Sequence, residues 1–185
     1  MNMGRLVDTL IRHEGSVKRG DRHFPYKDST SHLTIGYGRN LTDNGISEGE
    51  ARTLFLNDIQ GVLNGIRRQF NWFEQLNEVR QEVIVNMVFN LGLVGFSKFK
   101  NTITAIKAGA FHEAADRMLH SKWATQVKGR AVELSEMMRS GEMQDDREYP
   151  DIMELPVQVD VSEDAMKIIK RVRADLDELE ALYTR

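Results

Sequence analysis

Between Gly15 and Leu41 the chain gives up the helical repeat with which it begins, and resumes it only after Ser47. That interruption constrains the fold more than any other feature. Ahead of it, "GRLVDTLIRHEG" places Leu6, Val7, Leu10 and Ile11 on one helical face, and Gly15 stands where a glycine ends a helix. Inside it, "RHFPYKD" and "HLTIGYGRNL" are short, rich in aromatic and β-branched residues, and punctuated by Pro25, Gly36 and Gly38. Such segments predict a small antiparallel sheet of two or three strands.

Helical signals dominate the rest of the body. "ISEGEARTLFLNDIQGVLNGIRRQF" opens with Ser47 followed by Glu50, the spacing of a capping box, and Leu54, Phe55, Ile59, Val62 and Ile66 supply its apolar face. "NEVRQEVIVNMVFNLG" is apolar around more of its circumference, so it is expected to run through the core and to close at Gly92. Three further helical stretches follow with short breaks up to Gly141, and the methionines within them read as core packing. The fold class is therefore α+β, with a helix and a small sheet lobe ahead of a mainly helical lobe.

Composition divides the chain again at Gly141. Residues 142–185 hold 13 Asp/Glu against 6 Lys/Arg, a balance of −7, whereas residues 1–141 hold 19 basic against 15 acidic residues, or +4. Residues 142–161 contain Pro150 and Pro156 with little periodicity and read as an acidic linker. Residues 162–185 read as an amphipathic helix capped by Ser162, with Ala165, Ile169, Val172, Leu176, Leu179 and Tyr183 on one seam. That seam is shorter than the ~3–4 heptads of a coiled coil, and is expected to dock on its own body, on a second copy or on a virion component. The body divides at about residue 58, within the helix that joins its lobes.

Several functions are excluded or disfavoured. With no cysteine, disulfides and thiolate chemistry are ruled out. His13, His23, His32, His112 and His120 lack metal-ligand spacing, so neither a metal nor a cofactor is expected. The basic residues are not clustered with aromatics as in a nucleic-acid binder. No run has the apolar length of a signal peptide or a membrane span, which predicts a chain made in the cytoplasm and delivered by other means.

In this order, "RHEG", "YKDSTSHLTIGYG", "EARTLFLND", "VRQEVIVNMVFNLG", "GFSKFKNT", "FHEAA", "SKW" and "RSG" resemble the phage-type lysozymes, glycoside hydrolase family 24, over nearly all of residues 4–141. The family pattern is Glu, eight residues, Asp or Cys, five residues, Thr, then Ile-Gly-x-Gly. Asp28 and Thr34 keep the five-residue gap, but thirteen residues separate Glu14 from Asp28, so five are extra. The resemblance implies a lysozyme-like fold and a peptidoglycan glycan strand as partner. It implies hydrolysis of the β-1,4 bond between N-acetylmuramic acid and N-acetylglucosamine with inversion, in phage-driven lysis of the host. Release through a pore, as for an endolysin, or carriage in a virion would bring the chain to the wall. A lytic transglycosylase of similar fold and a non-catalytic wall-binding or virion domain are the alternatives.

The residues fit that chemistry on their own terms. Cleaving a glycoside needs a proton donor at the leaving oxygen and a second carboxylate to activate water or attack the sugar. Glu14 ends a helix, where the dipole disfavours a negative charge and so favours the protonated form of an acid catalyst. Asp28 lies in a polar strand-turn segment that favours an ionised partner, although "KDST" also reads as an Asx turn. Asp21, in the Gly-Asp of "KRGDR", reads as the tip of the inserted turn. By resemblance, Thr34 places the water, Trp123 lines the cleft, Asn90 and Thr102 face the sugar, and Arg130 pairs with Glu14. Trp123 reads equally as a core aromatic, and Asn90 and Thr102 as satisfiers of local backbone. Where the family commonly shows a histidine paired to an acid, this chain has Arg39, for which Asp58 is the expected structural partner.

Overall fold

The computed structural model describes residues 1–143. The expected helix over 162–185, and all of the linker beyond its first two residues, lie outside the described residues. The chain forms two compact units, Met1–Arg52 and Thr53–Arg185. The division falls within the helix Glu48–Gln69.

In the first unit, α1 (Met3–Glu14) begins where the Asn2 side chain accepts from the Arg5 amide at 2.9 Å. It ends at Gly15, whose φ of 67° turns the chain while its N–H reaches the Ile11 carbonyl at 3.3 Å. The apolar face forms, yet no residue of α1 is buried. Five short strands follow: β1 (Lys18–Arg19), β2 (Arg22–His23), β3 (Tyr26–Lys27), β4 (Leu33–Ile35) and β5 (Arg39–Asn40). They form two antiparallel sheets, β1-β2 and β3-β4-β5, where the sequence reading expected one. Pro25 stands between β2 and β3, and a residue without an N–H cannot continue a ladder. Gly20 and Asp21 form the tip of the first hairpin, and Gly20 has φ 62°, the positive value that the first position of such a turn requires. Thr34 is the one buried residue of this unit, whose 52 residues are too few to enclose a sizeable apolar core.

The helix α2 (Glu48–Gln69) starts with the predicted capping box. Glu50 Oε2 accepts from the Ser47 amide at 2.7 Å, and the Glu50 amide donates back to Ser47 Oγ at 3.3 Å. A 3-10 turn, Phe73–Gln75, leads to α3 (Glu78–Phe96), α4 (Lys100–Lys107), α5 (Phe111–Leu119), α6 (Lys122–Val127) and α7 (Gly129–Ser140). Gly92 lies inside α3 with φ 71°, so the predicted stop is a break after which the helix resumes. Ser121 caps α6 by accepting from Ala124 at 3.1 Å, which ends α5 sooner than periodicity alone suggests.

The core lies in this second unit. Ile66, Phe73, Ile84, Met87, Phe96, Met118 and Met138 are fully buried, each contributing roughly 1.5–3 kcal/mol of transfer free energy. The methionines of α3, α5 and α7, namely Met87, Met118, Met137 and Met138, are all core residues, whereas Met3 of α1 is exposed. Helix α5 packs on α4 and α7, and α3 packs on α7. The end of α7 is tied down by Arg80, whose Nε donates to the Met138 carbonyl at 3.0 Å while its guanidinium stacks 3.7 Å over the Phe111 ring. Among the described residues no single helix is long and apolar enough to cross a membrane.

Candidate active site

The first unit carries Glu14, Asp28 and Thr34, and each is placed by a different piece of local structure. Glu14 is the last residue of α1. Its carboxylate rests on the turn between β4 and β5, where a methyl group built on Gly38 would stand only 3.1 Å from Glu14 Oε2. Gly38 has φ 86°, so the turn needs a glycine for its backbone as well as for the room.

Asp28 is the anchor of the loop between β3 and β4. Its Oδ1 accepts from the Thr30 amide at 2.9 Å, the Thr30 hydroxyl at 2.8 Å and the His32 amide at 2.9 Å. These donors, led by the Thr30 hydroxyl, hold the Asp28 carboxyl below the usual carboxylate range. The Asx-turn reading and the ionised-carboxylate reading are thus satisfied by one oxygen. Oδ2 makes no hydrogen bond among the described residues, and His32 Nδ1 lies 3.9 Å from it. Between Asp28 and His32, whose backbones are bonded at 3.0 Å, Ser31 is the third of three residues and has φ 68°, in the left-handed region that such a turn uses.

Thr34, on β4, is 3 % exposed. Its hydroxyl donates to the His32 carbonyl at 3.4 Å, and the Asp28 amide donates to the same carbonyl at 3.0 Å. One carbonyl therefore holds both residues. His32, which in sequence only flanks the proposed site, is bound into it by a network of its own. Its Nδ1 meets Thr30 Oγ1 at 2.7 Å, its Nε2 lies 3.7 Å from Asp43 Oδ2, and Asn40 Nδ2 donates to that same Asp43 oxygen at 2.8 Å. Only the Asn40-x-x-Asp43 spacing hinted at it. With the Thr30 hydroxyl donating to Asp28, His32 carries its hydrogen on Nδ1 and donates to Thr30. Asp21 stands at the hairpin tip.

The ion pair that Arg39 makes within this unit is with Glu50, at 3.2 Å, while its Nε donates to the Gly45 carbonyl at 2.9 Å. Its sequence spacing gives Glu50 to the helix cap, and here that acid does both. Both side chains are more than 40 % exposed, so solvent screens the pair. Asp58 lies further along α2, in the second unit.

The second unit has its own concavity, of about 820 Å³. Phe55, Ile59, Val85 and Phe89 form its apolar wall, and Glu78, Glu82, Asn90 and Arg130 its polar one. Burial, reinforced by the neighbouring Glu78 charge, pushes the Glu82 carboxyl up. Trp123 and Thr102 are each 3 % exposed and do not line this groove. Trp123 sits in the core with its ring edge-on to Phe99, and reaches the groove through its indole N–H, which donates to Asn90 Oδ1 at 3.0 Å. Asn90 and Arg130 are thus brought to one groove, whereas Trp123 stands behind Asn90 and Thr102 is buried on α4. No cluster of potential metal ligands occurs among the described residues.

The sequence matches the family of phage lysozymes over residues 17–140, a span that contains Asp28 and Thr34 and begins three residues after Glu14. It is 32 % identical over 118 residues to the pre-baseplate central spike protein Gp5 of Enterobacteria phage T4, a match covering 60 % of this chain and 20 % of that one. It is 25 % identical over 155 residues to probable T4-type lysozyme 2 of Dictyostelium discoideum, covering 68 % of this chain and 91 % of that one. A second Dictyostelium protein, probable T4-type lysozyme 1, is 23 % identical over 151 residues. The chain thus spans about a fifth of the spike protein and nine-tenths of the two Dictyostelium proteins.

Proposed function

The chain belongs to the phage lysozyme family, whose members hydrolyse peptidoglycan, and from that premise we propose that it cleaves the β-1,4 bond between N-acetylmuramic acid and N-acetylglucosamine. Glu14 donates a proton to the glycosidic oxygen as the bond breaks. Asp28 accepts a proton from the attacking water through Oδ2, the oxygen left over by its loop. Thr34 steadies that carboxylate through the shared His32 carbonyl and helps to orient the water. Attack by water opposite the leaving group inverts the anomeric centre. Asn90 receives sugar polar groups in the groove of the helical unit, with Trp123 fixing its amide.

The observation that carries this reading is the set of three donors that hold Asp28 Oδ1 and leave Oδ2 unbonded among the described residues, which favours the ionised carboxylate. A transglycosylase closes the sugar on itself without water and has no use for a second carboxylate, whereas a hydrolase does. Proton NMR of the first-formed product tests the stereochemistry, because inversion delivers the α anomer and retention the β anomer. A Glu14→Gln protein is expected to bind purified walls without clearing them. Wild-type protein that fails to clear them would overturn the enzymatic reading.

Likeness to a phage spike protein favours carriage in a virion as the route to the wall, over release through a pore. Purified virions probed with antibody to this chain should then contain it, and its presence only in the lysate would refute that route. Residues 162–185 would supply the contact to a virion partner or a second copy.

A further inference from the structure

The β1–β2 hairpin is built in a way that costs stability, and no carboxylate among the described residues compensates it. Arg19 and Arg22 stand directly opposite each other in its register, so both side chains leave one face, and like charges so placed repel. Arg19 lies 4.5 Å over the Phe24 ring, while the Arg22 side chain has no hydrogen bond, ion pair or ring contact among the described residues. Neither guanidinium is paired to a carboxylate among the described residues, and both residues are exposed.

The opposite face ties the hairpin to the proposed acid catalyst. Lys18 and His23 are register partners there, and both meet Tyr37: Lys18 Nζ lies 3.5 Å from its hydroxyl and the His23 ring is edge-on at 4.9 Å. Tyr37 precedes Gly38, on which the Glu14 carboxylate rests. The hairpin also falls within the stretch that carries five more residues than the family spacing.

We propose that this hairpin is a binding surface for carboxylates of the stem peptides that branch from the glycan strand, with Arg19 and Arg22 as the pair that takes them. The inference rests on the peptidoglycan-hydrolase reading. Amino sugars of the strand offer little charge of their own, and the stem peptides bring carboxylates close to the bond being cut. Two planar guanidiniums on one face suit carboxylate oxygens, which accept from such forks in pairs. Bound anions would also remove the repulsion that the free hairpin bears.

The test is equilibrium binding of the Glu14→Gln protein to purified glycan strands with stem peptides, and to the same strands after their stem carboxylates are converted to methylamides. Strands with free stem carboxylates should bind tighter than the amidated ones by roughly three- to tenfold, a margin that shrinks as salt rises above the ~0.1 M at which the Debye length is about 10 Å. Adding Arg19→Gln and Arg22→Gln should abolish that preference. An Arg22→Glu variant separates binding from folding. It relieves the cross-strand repulsion, so the thermal midpoint should hold or rise while the preference falls. Preference absent in the parent protein, or surviving the double substitution, would overturn the proposal. So would an equal loss on both strand types, which would mean that the hairpin reads some other anion. Wild-type protein should digest both strands; if it digests neither, the hydrolase reading fails, whereas digestion without any stem preference sinks only the hairpin proposal.

Discussion

The Glu14 carboxylate leans on Gly38, a contact so close that the smallest side chain added there would stand 3.1 Å from Oε2. A residue from the end of a helix is thereby positioned by a turn in the sheet, more than twenty residues further along the chain. The contact gives the second glycine of "IGYG" a purpose beyond its turn. Its φ of 86° calls for glycine, and the missing Cβ leaves space for the proposed acid.

Gly38→Ala should therefore impair turnover more than binding. A carboxylate moved by a few tenths of an ångström to an ångström costs up to about a hundredfold in rate. The left-handed backbone adds a stability cost of about 1–2 kcal/mol. Steady-state kinetics on solubilised peptidoglycan should show kcat reduced roughly ten- to a hundredfold with KM little changed.

Asp28 gives a pH prediction with a definite sign. Its carboxyl is held below the usual carboxylate range, first by the Thr30 hydroxyl, so its stabilising contribution is complete above the unfolded value of about 3.9 and is lost as pH falls through the lower folded value. Removing that hydroxyl in Thr30→Val raises the folded value toward the ordinary one. The acid limb of the kcat/KM profile should move to higher pH, and acid unfolding should begin at higher pH. A profile that superimposes on the wild type would mean that Asp28 is not the group that must be ionised.

Trp123 and Asn90 form a buried-to-exposed pair whose worth can be isolated. Trp123→Phe keeps most of the ring in the core but removes the donor to Asn90 Oδ1. A double-mutant cycle with Asn90→Ala should give a coupling of roughly 0.5–1.5 kcal/mol in stability, the net value of one hydrogen bond. The single Trp123→Phe change should raise KM, because the amide of Asn90 loses its orientation.

Gly141 closes α7 with φ 76°, and a methyl group there would meet the Arg80 guanidinium at 2.6 Å. Arg80 is not free to yield, since it holds the Met138 and Arg139 carbonyls and stacks on Phe111. Gly141→Ala should lower stability by about 1–3 kcal/mol, within the usual range for backbone strain at a special position. Thermal denaturation reads this directly, and activity at low temperature should be preserved.

The sequence was most legible where a local rule decides the structure. Gly15 ends α1, Ser47 and Glu50 cap α2, and the period of the later helices marks the core face, because each depends on neighbours a few residues away. Two sheets in place of one were less legible, since strands of two or three residues carry too little period to set their pairing, and Pro25 alone marked the break. Family order located Asp28 and Thr34 but could not show that one carbonyl, that of His32, binds them both. The Trp123 side chain was ambiguous for a related reason. A tryptophan at helical spacing reads as core or cleft, and here the ring is core while its N–H serves Asn90.

Mass spectrometry of the muropeptides released from purified peptidoglycan in ¹⁸O-water tests the central claim most directly. The account predicts reducing-end muramic acid carrying one solvent oxygen from the wild type and no release by Glu14→Gln. Anhydro-muramic ends without solvent oxygen, or intact strands after treatment with the wild type, would contradict it.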